Sequence, residues 1–218
     1  MNLKLIRPVV LAFCAGFLAV QGSVTCLWAG ENKPASLFEA DSVLEVRMIA
    51  PFQELVADKD YQDAYPARLE YIDDAGQQIS IDLTVERRGL TRQRVCKIPP
   101  IKLRFEKGVA KGTIFRGQED LKMVTHCKSN ARYEQYYRLE MLAYRIYNVL
   151  TDYSFRVRPL QVTYFQTGHE NEQEEKSGLS FFRRKTTEGP VFAFLIEEDK
   201  EVANRHGLKN LHIPEISP

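Results

Sequence analysis

Hydrophobic and polar residues alternate along much of the first half of the chain, with the two-residue period of β-strands. In the clearest stretch, Ile79, Ile81, Leu83 and Val85 share one face, and the polar residues between them share the other. Such alternation is typical of an antiparallel sheet with one face in the core and one in water. The pattern predicts five strands before residue 128: Ser42–Ala50, Ala67–Ile72, Ile79–Glu86, Ile101–Phe105 and Leu121–Cys127.

The period changes to that of an α-helix between about Tyr133 and Leu150. Aliphatic residues recur there at helical spacing and form one apolar stripe: Leu139, Leu142, Ala143, Ile146, Val149 and Leu150. Because an apolar stripe normally faces a core, we predict that this helix is the main packing partner of the sheet. Two further strands, Phe155–Gln166 and Val191–Glu198, follow on either side of a polar loop.

The order of these elements predicts an α+β fold, in which an antiparallel sheet of five or six strands carries one long packed helix. This is also the general plan of a kinase N-terminal lobe, which is an analogy of fold alone. We assign residues 31–212 to this single α+β domain and residues 213–218 to a short tail.

An apolar run at the N-terminus is typical of an export signal. Lys4 and Arg7 precede the run Pro8–Val20, which is too short for a comfortable membrane span. We therefore predict that residues 1–30 are a signal peptide and that the mature chain is periplasmic or extracellular, with no transmembrane span. An uncleaved membrane anchor is the alternative.

The charge of the chain is balanced overall but uneven along the sequence. Lys and Arg total 30 and Asp and Glu total 29, so the overall charge does not favour nucleic acid as a partner. The stretch from Arg87 to Gly108, in contrast, holds eight basic residues and a single acidic one, Glu106. This basic stretch is therefore a local feature that needs its own explanation.

The first part of the basic stretch reads as a loop around Gly89. Its basic residues are Arg87, Arg88, Arg92, Arg94 and Lys97. Because a guanidinium group pairs with phosphate through two parallel hydrogen bonds, the loop is a candidate binding site for phosphate-containing anions. The alternative is a solvated basic face that balances an acidic segment of the chain or touches an anionic component of the cell envelope.

Two cysteines, Cys96 and Cys127, remain once the signal peptide is removed. An oxidising compartment permits them to pair, and closing a loop of this length stabilises a fold by about 3–4 kcal/mol in the chain-entropy model. Cys96 precedes one predicted strand and Cys127 ends another, so we predict a disulfide between them. Two free thiols or a redox pair are the alternatives. We predict no metal site, because no second pair of ligands has metal-binding spacing.

Five segments occur in an order that has a parallel in a known family. They are RGLT (Arg88–Thr91), KIPPIKLRF (Lys97–Phe105), FRGQEDLKMVTHCKSN (Phe115–Asn130), LEMLAYRI (Leu139–Ile146) and VFAFLIEE (Val191–Glu198). With them the chain resembles the spore coat protein H (CotH) kinase-like family over roughly residues 85–207. It departs from the family at Leu90, where Asn is usual, and at Ser129 and Asn130, where an Asp is common.

The resemblance implies a nucleotide site on a kinase-type N-terminal lobe, with ATP and magnesium as the bound species. Lys102 or Lys97 would contact the phosphates, and Glu140 would be the ion-pair partner of that lysine. The residues assigned to the nucleotide or phosphate site are Arg88, Gly89, Arg92, Lys97, Lys102, Glu140 and Glu197.

The resemblance also bears on catalysis. In this family the catalytic and metal-binding aspartates lie beyond the position of Glu198, after which this chain has about twenty residues. Because phosphoryl transfer depends on metal-bound charge compensation, we expect no efficient transfer by this chain and assign no catalytic residue. Two hypotheses follow. In the first, the chain is an exported protein that binds a nucleotide or another anion, or is a vestigial kinase-like lobe. In the second, it is a non-enzymatic structural or binding protein of the cell envelope.

Overall fold

The computed structural model describes residues 36–58, 63–89, 91–96, 98–128, 131–168 and 190–209. The strands in this part of the chain are β1 (Leu44–Ala50), β2 (Tyr65–Ile72), β3 (Gln78–Arg87), β4 (Ile101–Arg104), β5 (Asp120–Val124), β6 (Val157–Gln166) and β7 (Val191–Ile196). The helices are α1 (Phe52–Ala57), α2 (Arg92–Val95), α3 (Glu134–Leu150) and α4 (Asp199–Arg205), with a 3₁₀ turn at Ala131–Tyr133. Every strand lies within three residues of a predicted one, so the strand predictions are confirmed.

The strands form a closed barrel in the order β1-β2-β3-β4-β5-β7-β6. Neighbouring strands around the barrel are antiparallel except at the closure, where β6 runs parallel to β1. This parallel pair extends from Leu44 opposite Leu160 to Ala50 opposite Gln166, which covers the whole of β1. Closure pairs the backbone groups that the two edges of an open sheet would leave free.

The predicted fold class is therefore wrong. An α+β layer of the kinase N-lobe type has an open antiparallel sheet covered by one long helix, whereas this sheet closes on itself and carries its own core. The physical reason is the long pairing of β1 with β6, two strands separated by more than a hundred residues. The alternation of apolar and polar residues within a strand shows which side chains face the core. It does not show which distant strand pairs with that strand.

The core of the barrel is filled by side chains from all seven of these strands. As the alternation predicted, Ile81, Leu83 and Val85 point into it, and all three are buried. A barrel of about this strand number has an interior just wide enough for its own side chains. Other large members of the core are Met48, Leu69, Ile101, Leu103, Leu121, Met123, Leu160, Val162 and Leu195.

The long helix α3 lies where it was predicted, but it packs with a different face. Tyr137 is buried, and Met141 and Tyr144 pack with it on an apolar strip outside the barrel that includes Phe192 and Phe194 of β7. The predicted stripe is largely exposed, so the prediction that this stripe packs on the sheet is wrong. The barrel fills its own interior, and only the narrow outer strip remains for the helix to cover.

None of the helices in the described ranges is both long enough and apolar enough to cross a membrane. The predicted signal peptide, residues 1–30, lies outside the described residues, as does the predicted tail.

Candidate anion-binding site

A disulfide joins Cys96 to Cys127, which confirms the predicted pairing. Cys96 follows α2 directly and Cys127 follows β5, and their Cα atoms are 4.4 Å apart. The backbone N–H of Cys127 also donates to the phenol oxygen of Tyr137, at 2.7 Å. The basic loop is thus tied covalently to the chain that leads into α3, and α3 is tied to the same point by a hydrogen bond.

Arg88 lies just beyond the end of β3, where its backbone N–H donates to the carbonyl oxygen of Pro100 at 2.9 Å. Its side chain is half-buried. Burial lowers the pKa of Arg88, while the charges of Glu198, Tyr144 and Glu140 act in the opposite direction. No carboxylate of the described residues lies within ion-pair distance of this guanidinium group.

Arg92, the first residue of α2, pairs with Glu140 of α3, and the atoms Nη2 and Oε2 are 2.6 Å apart. It lies close enough to Arg88 to lower the pKa of that residue further. Between the two arginines, Gly89 has a φ of 86°, a conformation that glycine adopts without strain. The two arginines on either side of Gly89 thus share one electrostatic environment. Of the carboxylates in the described ranges, one pairs with Arg92 and none pairs with Arg88.

Lys102 and Lys122 are direct cross-strand partners on the outer face of β4 and β5. Like charges in such positions repel, and Glu198 relieves this by lying between them. Its Oε1 is 3.5 Å from Nζ of Lys102, and its Oε2 is 3.4 Å from Nζ of Lys122. Asp120 adds a contact of 3.4 Å to Lys102, and Asp199 adds one of 2.9 Å to Lys122. Both lysines are therefore neutralised locally.

The predicted ion pair between Glu140 and a lysine of the site is replaced by two separate pairings. Glu140 contacts Arg92, and Lys102 contacts Asp120 and Glu198. The other candidate lysine, Lys97, lies outside the described residues. The structure thus brings Arg88, Arg92, Lys102 and Glu140 into one charged cluster, although not in the arrangement that the resemblance implied.

Tyr144 of α3 lies near this cluster, close enough to interact electrostatically with Arg88, Arg92 and Glu140. Its ring centre is 6.2 Å from that of Phe155 and 6.2 Å from that of Phe194, so the ring is held against the outer apolar strip. Burial raises the pKa of Tyr144, and Glu140 raises it further, against the opposing charges of Arg88 and Arg92. The phenol therefore stays protonated at neutral pH and can donate a hydrogen bond to an anion.

Glu197 was predicted as a site residue, but its carboxylate is directed to two arginines instead. It is buried, and it accepts from Nη2 of Arg156 at 2.7 Å and from Nη2 of Arg205 at 3.0 Å. Burial by itself raises the pKa of Glu197, yet the hydrogen bonds from Arg156 and Arg205 outweigh it and lower the pKa. These contacts join the end of β7 to the start of β6 and to α4, which is a structural role.

Three members of the cluster were not among the predicted site residues: Tyr144, Lys122 and Glu198. Lys122 alternates with the buried residues Leu121 and Met123, so its outward position was readable from the pattern. Nothing local distinguishes Tyr144 from its neighbours on the helix, because its position follows from the face of α3 that packs.

Among the described residues, no three side chains of the His, Cys, Asp or Glu type are grouped so that they could hold a metal ion. No protein-family model matches the chain, and no curated protein or solved structure matches it either. The resemblance to the CotH kinase-like family therefore stays a prediction.

Proposed function

We propose that this chain is an exported anion-binding protein and that its site takes phosphate or polyphosphate groups. The site would consist of Arg88, Arg92 and Tyr144, at the junction of the basic loop and α3. The observation that carries this proposal is the half-buried guanidinium group of Arg88, which has no ion-pair partner among the described residues.

A charge that is partly removed from water without a partner raises the free energy of the folded state. With respect to the described residues Arg88 is in that position, since Glu140 is engaged with Arg92, and Glu198 lies between two lysines. A guanidinium group carries five N–H donors in a fixed planar fork, which matches two oxygens of a phosphate group. A bound phosphate would therefore supply the paired charge and the acceptors that the described residues do not give Arg88.

The neighbouring residues determine how tightly such an anion would bind. Arg92 already donates a hydrogen bond to Glu140, so it can donate to the anion only if that bond is shared or weakened. Tyr144 can add one neutral hydrogen bond. Within the described part of the chain Arg88 has no ion-pair partner, and Arg92 shares its charge with Glu140. We therefore expect modest affinity that falls as salt is added.

ATP with magnesium is the ligand that the CotH resemblance implies. Magnesium usually keeps several waters and is held by one or two carboxylates together with phosphate oxygens of the substrate. The carboxylates near the cluster, Asp120, Glu198 and Asp199, each contact a lysine, so they do not fit a magnesium site as they stand. The proposal is therefore one of anion binding, and it includes no phosphoryl transfer step.

The proposal is tested by titrating the purified protein with phosphate, pyrophosphate and ATP, each with and without magnesium, while backbone amide shifts are followed. We expect the shifts to centre on residues 88–92 and on the middle of α3. Arg88→Met should weaken pyrophosphate binding roughly tenfold or more, because a hydrogen bond to a charged group contributes about 1.5–3 kcal/mol.

The matched control is Arg68→Met, which removes an exposed arginine of β2 that is paired with Asp82. This variant should bind pyrophosphate like the parent protein. Shifts confined to other regions, or none at millimolar ligand, would remove the proposal. Equal affinity for pyrophosphate and ATP would assign a general anion site rather than a nucleotide site.

The second candidate is a non-enzymatic binding or structural protein of the cell envelope. It is favoured by the exposed aliphatic face of α3, which contributes little to the packing of the barrel. The two candidates are compatible, because the anion cluster and this face lie on different sides of the helix.

A further inference from the structure

Helix α3 has two distinct faces. One face packs on the barrel and carries the less exposed residues Tyr137, Met141, Tyr144 and Asn148. At 100° per residue, the opposite face carries Leu139, Leu142, Ile146 and Val149, which we call the aliphatic seam. The aliphatic seam therefore points away from the barrel on which α3 packs.

The aliphatic seam is strongly exposed. Relative exposure is 59% for Leu139, 49% for Leu142, 52% for Ile146 and 87% for Val149. Single exposed aliphatic residues are ordinary, but a contiguous row along three helical turns is typical of an interaction surface. The spacing of three, four and three residues is that of the a and d positions in a coiled coil, where each helix packs against a second one.

We propose that the aliphatic seam pairs α3 with α3 of a second copy of this chain, around a two-fold axis. The charges beside the seam favour a second copy over a charged partner. Arg138 pairs with Glu134 one turn earlier, at 2.6 Å, and Arg145 pairs with Asp41 of the same chain. Both pairs lie along the same edge of the seam, so an identical surface meets no unbalanced charge there. An acidic helix or an anionic surface would have to compete with both intramolecular pairs.

The energetics of this pairing rest on a preformed helix. An isolated helix of this length is marginal in water, but α3 is already held by the barrel and by the Tyr137 hydrogen bond, so association does not have to order it. Complete burial of the seam together with Leu150, the exposed residue beside it, would remove at most on the order of 1,000 Å² from water over both copies. This area is at the low end for a specific interface, so we expect a dimer that dissociates on dilution.

The test is the molar mass of the purified protein, measured by light scattering and by sedimentation velocity over a wide concentration range. We expect a monomer–dimer equilibrium that does not depend on added phosphate. Ile146→Glu places a charge in the middle of the seam and should weaken association at least tenfold. The control Ile72→Glu makes the same change at an exposed position on β2, with a relative exposure of 60%, and should leave association unchanged.

Circular dichroism melting of both variants shows whether they are folded, since both replaced side chains are largely exposed. A parent protein that remains monomeric at the highest concentration would overturn the proposal. So would a dimer that survives Ile146→Glu or that is lost equally with Ile72→Glu. A monomer that binds vesicles of anionic lipid through the seam would assign this face to a membrane surface and would also overturn it. None of these outcomes depends on the anion site.

Discussion

The orientation of α3 can be tested by comparing one residue from each of its two faces. Tyr137 is 5% exposed, and its phenol oxygen accepts from the backbone N–H groups of Cys127 at 2.7 Å and Lys128 at 3.2 Å. Leu142, at the centre of the aliphatic seam, is 49% exposed. If the packing is as described, truncation of these two side chains should have very different effects on the free energy of unfolding.

The magnitudes follow from burial and hydrogen bonding. Tyr137→Ala removes a buried aromatic ring and should cost about 3–5 kcal/mol. Tyr137→Phe keeps the ring but leaves two backbone donors without their acceptor, which should cost about 1–3 kcal/mol. Leu142→Ala removes a side chain that is only half buried and leaves no enclosed cavity, so its cost should be about 1 kcal/mol or less.

The assay is urea denaturation followed by circular dichroism, with the disulfide intact. It should be run at several protein concentrations, because dimer formation would add a concentration-dependent contribution to the effect of Leu142→Ala. The values to compare are those at low concentration, where the monomer dominates. A cost above about 2 kcal/mol for Leu142→Ala, together with less than about 1 kcal/mol for Tyr137→Ala, would mean that the helix packs through its aliphatic seam and would refute this account.

Two further predictions concern stability. Replacing Cys96 and Cys127 by Ser should lower the free energy of unfolding by about 3–4 kcal/mol, because the disulfide joins residues that are 31 positions apart. A loss below about 1 kcal/mol in urea denaturation would contradict this. Burial lowers the pKa of His126 to about 4. Histidine in the unfolded chain has a pKa near 6.5, so below that pH the unfolded state gains a proton before the folded state does. The contribution of His126 to the free energy of unfolding is therefore complete above pH 6.5 and should fall by roughly 3 kcal/mol as the pH drops to 4. Stability measured across this range should change less steeply in His126→Gln, and equal slopes would show that His126 is not responsible.

Local patterns predicted the elements of the fold well. The two-residue alternation located the strands because each has one face in the barrel core, as Leu121, Lys122 and Met123 illustrate on β5. The helical period located α3 to within a residue or so. The disulfide was also predictable, because only Cys96 and Cys127 remain after the predicted signal peptide and both flank strands.

Tertiary arrangement was not predictable in the same way. The parallel pairing of β1 with β6 joins segments that are far apart in sequence, and no local pattern encodes it. The apolar stripe of α3 was assumed to face the core because most such stripes do. Here the barrel strands supply the core themselves, and the helix is held by aromatic side chains such as Tyr137 and Tyr144, which the stripe did not include.

The candidate site was predicted in part. The basic loop identified Arg88 and Arg92, and the resemblance added Glu140, which does contact Arg92. Their electrostatic roles could not be read from the sequence, because whether an arginine is paired depends on which carboxylates the fold brings near it. Glu198 illustrates the point: it neutralises two lysines instead of pairing with Arg88.

The most direct test of the central claim observes the guanidinium group of Arg88 itself. The side-chain Nε–Hε signal of Arg88 can be assigned by its absence from the spectrum of Arg88→Met and then followed as pyrophosphate is added. A half-buried guanidinium group that gains an anion should show a saturable downfield shift of this proton, larger than that of the exposed and paired Arg68. An Arg88 signal that does not move while other arginine signals do would contradict the assignment of this residue as the anion site.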